Sequence, residues 1–178
     1  GRLWIVTNDE HINFRLVSAS VEASAEWREE IAGSDRTYLR GATAYRDHLA
    51  LTTRVDGLDQ LILRTYDGEE TRLPFAEAAY SAYFAGNPDF APTSYRLGYS
   101  SMVTPPTVYD YHPQEDRLEV RRVLEIPSGY DPGLYVTERK LIAARDGARV
   151  PVSILRRKDF PLDGSGKLYL YGYGAYGI

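Results

Sequence analysis

LALTTRVDGLDQLILRTYDG, residues Leu49 to Gly68, decides how the rest of the chain is read. Two runs of apolar and β-branched residues flank Asp56-Gly57, a dipeptide whose tolerance of positive φ suits a tight turn between antiparallel strands. A second Asp-Gly pair, Asp67-Gly68, closes the second run. The stretch therefore predicts strand, turn, strand, turn.

Two other stretches line up beneath it: LWIVTNDEHINFRLVSAS from Leu3 and LGYSSMVTPPTVYDYHPQED from Leu97. A hydroxyl follows the first strand each time, at Thr7, Thr53 and Ser101. The second strand opens on an apolar residue, at Phe14, Leu61 and Val108. The starts at Leu3, Leu49 and Leu97 are 46 and 48 residues apart. Short strands repeating every ~40 to 50 residues are the mark of propeller blades rather than of a β-sandwich. Three such units cannot close a ring of ~4 to 8 blades. The expected fold is therefore mostly β, a partial propeller of about three blades cut from a larger one.

Between the repeats, Asn87-Pro88 and Thr104-Pro105-Pro106 break any continuing helix. Ala76 to Tyr83 has helix propensity but no clean apolar stripe, and it lies where a blade needs a strand; coil followed by strand is expected. After Glu125 the pattern changes. Pro127, Gly129, Asp131, Pro132 and Gly133 form a breaker-rich connector, which places a domain boundary there. Residues 1–128 are read as propeller blades and 129–178 as the first strands of a second domain. In that second part a strand from Tyr135 to Ala144 meets an Asp146-Gly147 turn and a strand from Arg149 to Arg157, with Val150, Val152 and Ile154 on one face. A loop then leads to a third strand, KLYLY at Lys167 to Tyr171. Lacking simple alternation, that segment is expected to be buried on both faces, like an interior strand of an α/β sheet.

Composition narrows the function classes. The 178 residues carry 21 basic and 25 acidic side chains, net −4, well interspersed, so no basic face for nucleic acid is expected. No apolar run approaches the ~18 residues that span a bilayer, and no charged-then-apolar leader opens the chain. No membrane partner is expected, and the cytoplasm is the default compartment. The first residue, Gly1, leaves room for a signal on a longer parent. With no cysteine, disulfides and thiolate zinc sites are excluded.

Chemistry concentrates at the end of the chain. Tyr171-Gly172-Tyr173-Gly174-Ala175-Tyr176-Gly177 puts a glycine turn after an apolar segment, where a backbone amide or phenol can donate to a developing negative charge. Gly172 to Gly177 also matches GxGxxG, but two antiparallel strands stand where a first βα unit should, and Tyr173 crowds a pyrophosphate; no dinucleotide or other cofactor is expected. Asp163-Gly-Ser-Gly-Lys167 lacks the first glycine and final hydroxyl of a phosphate loop. His11, His48 and His112 are at unrelated spacings and are read as structural, with no metal site. No GxSxG elbow is present and no Ser, Asp and His set can be nominated.

Four runs, Asn13 to Val17 (NFRLV), Gly98 to Pro105 (GYSSMVTP), Ala144 to Ser153 (ARDGARVPVS) and Tyr171 to Gly177 (YGYGAYG), resemble the prolyl oligopeptidase family of serine peptidases, in order along essentially the whole chain. The likeness is greatest to its branch that cleaves after Arg or Lys. The resemblance implies a two-domain enzyme: a propeller that admits short peptides, capping an α/β-hydrolase domain with a Ser-Asp-His triad. The chain would supply the last blades and the first hydrolase strands. Tyr173 matches the second tyrosine of the family motif, which donates to the oxyanion, while nucleophile, acid and base belong to other sequence. The chain alone is then expected to be inactive and, with unpaired edges, to self-associate. The competing reading is a non-catalytic propeller module that binds a peptide or protein.

Overall fold

The computed structural model describes residues 1–174. Among these, thirteen strands form three meander sheets and one hairpin, with no α-helix. The first sheet holds β1 (Arg2–Thr7), β2 (Arg15–Ser20) and β3 (Arg28–Ile31). In the second are β4 (Thr37–Ala44), β5 (His48–Val55), β6 (Leu58–Thr65) and β7 (Glu70–Arg72). The third comprises β8 (Tyr80–Phe84), β9 (Tyr95–Ser101), β10 (Thr107–His112) and β11 (Arg117–Val123). Every neighbouring pair is antiparallel. The fourth sheet is the hairpin of β12 (Tyr135–Ala143) and β13 (Arg149–Arg157).

The turn chemistry sets this order. Val55 pairs with Leu58 across Asp56 and Gly57, whose φ values of 49° and 81° are the left-handed pair that a two-residue hairpin demands. Coil then strand holds at Ala76 to Tyr83, where β8 starts at Tyr80. The repeated hydroxyls serve the turns in different ways. Thr53 donates to the Gln60 carbonyl at 3.2 Å, and Ser101 Oγ accepts the amides of Val103 and Thr104 at 3.0 and 2.8 Å.

The second sheet is buried on both faces, which explains its continuous apolar runs. Alternate residues part company: Leu49, Leu51 and Ile62 pack with Leu16 and Leu39 against the first sheet, whereas Ala50, Leu61 and Leu63 pack with Ala82, Tyr95, Leu97 and Tyr111 against the third. Sheets thus stack face to face in chain order, the packing of propeller blades. The second interface is aromatic: Tyr45 meets Tyr95 edge-on at 5.3 Å and Phe75 stacks on Tyr99 at 5.1 Å.

Three expectations need correction. First, Val6 pairs with Leu16 and Thr52 with Leu61, so Leu16, not Phe14, takes the place of Leu61; Val108 is likewise offset by two, because it pairs with Gly98 and not with Ser100. A slip of two keeps each side chain on its face, so the apolar pattern aligned regardless. Second, Lys167 to Tyr171 is not a strand: it has no ladder partner, and Leu168, Tyr169, Leu170 and Tyr171 are 73 to 86% exposed. Apolar character calls for burial, but a strand also needs a neighbour for its amides and carbonyls. Third, the segment after residue 128 forms the hairpin expected on the Asp146-Gly147 turn, but no α/β sheet is built onto it among the described residues. The α/β-hydrolase part is not in this chain.

Candidate functional site

The loops after β1, β3, β5, β7 and β9 lie at the same edge of the array. There the loop 8–14, the crossovers 32–36 and 73–79, the Asp56-Gly57 turn and the loop 102–106 are tied together. Asn13 Nδ2 donates to the Ser34 carbonyl at 2.8 Å, the Asp56 amide to the Arg36 carbonyl at 3.3 Å, and the Thr104 hydroxyl to Glu77. Onto this edge fold the connector and the hairpin. Tyr130 donates to the Val103 carbonyl at 2.9 Å, and Arg139 of β12 donates to the Asp56 carbonyl.

The charges on the edge are largely neutralised in place. Arg15, nearly buried at the start of β2, forks onto Asp9 at 2.8 and 2.9 Å and also reaches Glu10 at 2.9 Å and Glu29 at 3.1 Å. Its hydrogen bonds hold the Asp9 carboxyl below the ordinary range. Arg36 does the same for Asp56 at 2.7 Å. Below the edge, the buried carboxylate of Asp59 accepts from Arg54 at 3.0 Å and Arg40 at 3.3 Å. Nothing in the sequence marked these arginines, because their partners are set by loops and cross-strand register.

The three histidines are scattered. His11 Nδ1 accepts the Asn13 amide at 3.1 Å, which leaves Nε2 to donate to Asp35 at 3.3 Å. His112 faces Glu119 at 3.1 Å. His48 stacks on Tyr45 and shares a hydrogen bond with the Tyr95 hydroxyl; burial pushes its imidazole below the ordinary range, against the opposing charge of Asp47. Burial, with Asp116 as hydrogen-bond partner, pushes the Tyr111 phenol up to about 12. Among the described residues no histidine is bonded to a serine hydroxyl, and no three His, Cys, Asp or Glu side chains converge as metal ligands.

Tyr173 stands apart from all of these groups, 60% exposed. Among the described residues nothing lies within 4 Å of where a Cβ would sit on Gly172 or Gly174. Ala175, Tyr176 and Gly177 of the motif lie outside the described residues. The Asp163 to Lys167 loop is a capped turn: Ser165 donates its amide and hydroxyl to Asp163 at 2.9 and 2.6 Å, hydrogen bonds that lower the Asp163 pKa. That closes the loop on itself.

Antiparallel meanders of three and four strands stacked face to face, with turns gathered at one edge, place the array in the β-propeller class. The sequence profile of the prolyl oligopeptidase N-terminal β-propeller domain matches residues 1–123, and the chain belongs to that family. It is similar to dipeptidyl aminopeptidase BI of Pseudoxanthomonas mexicana, 31% identical over 99% of this chain and 25% of the relative. Protease 2 of Moraxella lacunata is 25% identical over 98% of this chain and 25% of its own length. Among solved structures, oligopeptidase B of Trypanosoma brucei, described with covalently bound antipain in a closed form, superposes with a TM-score of 0.87 at 26% identity, covering 99% of this chain and 26% of that one. The chain thus spans about a quarter of the length of these relatives.

Proposed function

We propose that the chain contributes propeller blades, followed by a hairpin that leads toward the catalytic domain, to a serine-type oligopeptidase that hydrolyses short peptides after Arg or Lys. The division falls between residues 128 and 129. The observation that supports this reading is the superposition on oligopeptidase B over 99% of the chain. In the mechanism, a serine elsewhere in the whole protein attacks the peptide carbonyl, a histidine moves the proton to the leaving amine, and water releases the acyl group. The role of this chain's Tyr173 is to donate its hydroxyl to the oxyanion that forms on attack. An exposed phenol on a glycine turn can meet such a centre once the catalytic domain closes around it. The 178 residues alone turn nothing over.

The experiment is Tyr173→Phe in the full-length protein, assayed on an Arg-containing peptide. Loss of one oxyanion donor lowers kcat about 10²- to 10³-fold with KM little changed. Unchanged turnover removes the role. A second reading comes from the 31% identity to dipeptidyl aminopeptidase BI: release of dipeptides rather than internal cleavage. A peptide blocked at its amino terminus separates the two, since only the endopeptidase cuts it.

A further inference from the structure

We propose that the space between the first and second sheets is a binding site for a small, neutral ring that carries a hydroxyl, of the chemical class of the simple phenols. The observation that carries this is Gln60 of β6, 9% exposed, whose Oε1 is buried and meets no donor among the described residues. Like Ile62 on the same strand, Gln60 faces the first sheet. It borders a cavity of about 230 Å³ walled by Phe14, Ile31, Leu39, Leu51 and Ile62. Polar neighbours in the lining are already engaged. The Thr53 hydroxyl donates to the Gln60 carbonyl at 3.2 Å, Ser34 Oγ accepts the amides of Arg36 and Thr37 at 3.2 and 3.3 Å, and Glu70 accepts from Arg64 at 2.7 Å.

Two costs meet at this one cavity. The buried end of the Gln60 amide forfeits the hydrogen bond it had in water. Phe14, in the same lining, takes φ 66°, a left-handed backbone that bulky side chains rarely adopt, with its amide on the His11 carbonyl at 3.0 Å. A ring lying against Phe14 with its hydroxyl on Gln60 supplies the missing partner and gives the strained wall its use. An apolar cavity of ~150 Å³ already admits benzene, so this one has room for a ring with a substituent. Because a hydroxyl both donates and accepts, it serves the buried end of the amide whichever way round the amide stands. Ionised ligands are disfavoured: Glu70 and Arg72 are exposed, and the apolar walls offer no counter-charge within.

The test is calorimetric titration of the full-length protein with p-cresol and with toluene, which keeps the ring and lacks the hydroxyl. In the unaltered protein p-cresol should bind about five- to tenfold tighter than toluene, the effect of one hydrogen bond on an equilibrium. Gln60→Leu, similar in size and without the amide, should weaken p-cresol by about the same factor and leave toluene no weaker. Leu51→Phe, which fills the space, should abolish binding of both. Crystals of the unaltered protein soaked in 4-bromophenol should show the bromine, by its anomalous scattering, between the first and second sheets beside Phe14. No binding of p-cresol means that the cavity holds water only, and overturns the site. Equal affinity for p-cresol and toluene, or a preference that survives Gln60→Leu, overturns it as well. Should the Gln60 variant not fold, the bromine decides: a position outside this cavity, or none, refutes the proposal.

Discussion

Burial of the second sheet on both faces is tested by paired truncations one residue apart in β6. Leu61 is fully buried against the third sheet, and Ile62, 8% exposed, points the other way into the first. Around Leu61 stand Ala50 and Ala82, small residues in hydrogen-bonded strands that cannot swing in to fill a void. Leu61→Ala should therefore cost about 3 to 4 kcal/mol, the middle of the range for buried leucines. Ile62→Ala should cost about 2 to 3 kcal/mol, because its partly buried apolar neighbours, Trp4, Val6 and Phe14, retain some exposure and can relax. In urea, with a slope of about 2 kcal/mol per molar, the midpoints fall by about 1.5 to 2 M and 1 to 1.5 M. Far-ultraviolet dichroism follows all the sheets. Fluorescence of Trp4, stacked on Tyr66 at 5.3 Å, follows the first interface. A sheet with one solvated face would tolerate one of the two truncations. If Ile62→Ala stays within about 0.5 kcal/mol of the parent chain, the face-to-face stacking is refuted.

The same surfaces give two further outcomes. Because burial lowers the His48 pKa below its ordinary 6.5, the unfolded chain takes up the proton first as pH falls; stability from this group is complete above that value, declines below it and levels off under the folded pKa. His48→Gln should flatten that decline between pH 7 and 5.5 in urea titrations, and equal losses in both proteins would contradict it. The exposed apolar run Leu168 to Tyr171, with Leu162 and the hairpin face, should make the chain associate; light scattering showing a monodisperse monomer would count against that.

Much of the architecture was legible because turn chemistry is local. Asp56-Gly57, Asp67-Gly68 and Asp146-Gly147 mark hairpins where the left-handed region is needed, and Gly57, Gly68 and Gly147 all take positive φ. The period of the repeat located β1, β5 and β9 correctly. It misplaced their partners by two residues, since register depends on loop length and not on the apolar pattern. The site was less legible. The role proposed for Tyr173 rests on a motif likeness, and among the described residues its side chain is 60% exposed. Arg15, Asp56 and Arg139 carry the contacts at the turn edge, yet Asp56 and Arg139 are 83 residues apart. Only the fold brings them together.

By itself, the sequence determined what nearest neighbours decide: strand against turn, the repeat, the connector after Glu125, and the absence of any nucleophile elbow. Tertiary structure alone decided which face of each strand meets which sheet, that His48 reaches Tyr95, and that Lys167 to Tyr171 forms no strand here. The physical reason is one of range. A turn is settled by the φ its own residues tolerate, whereas burial, ion pairing and a strand's hydrogen bonds each need a partner that comes from elsewhere in the chain.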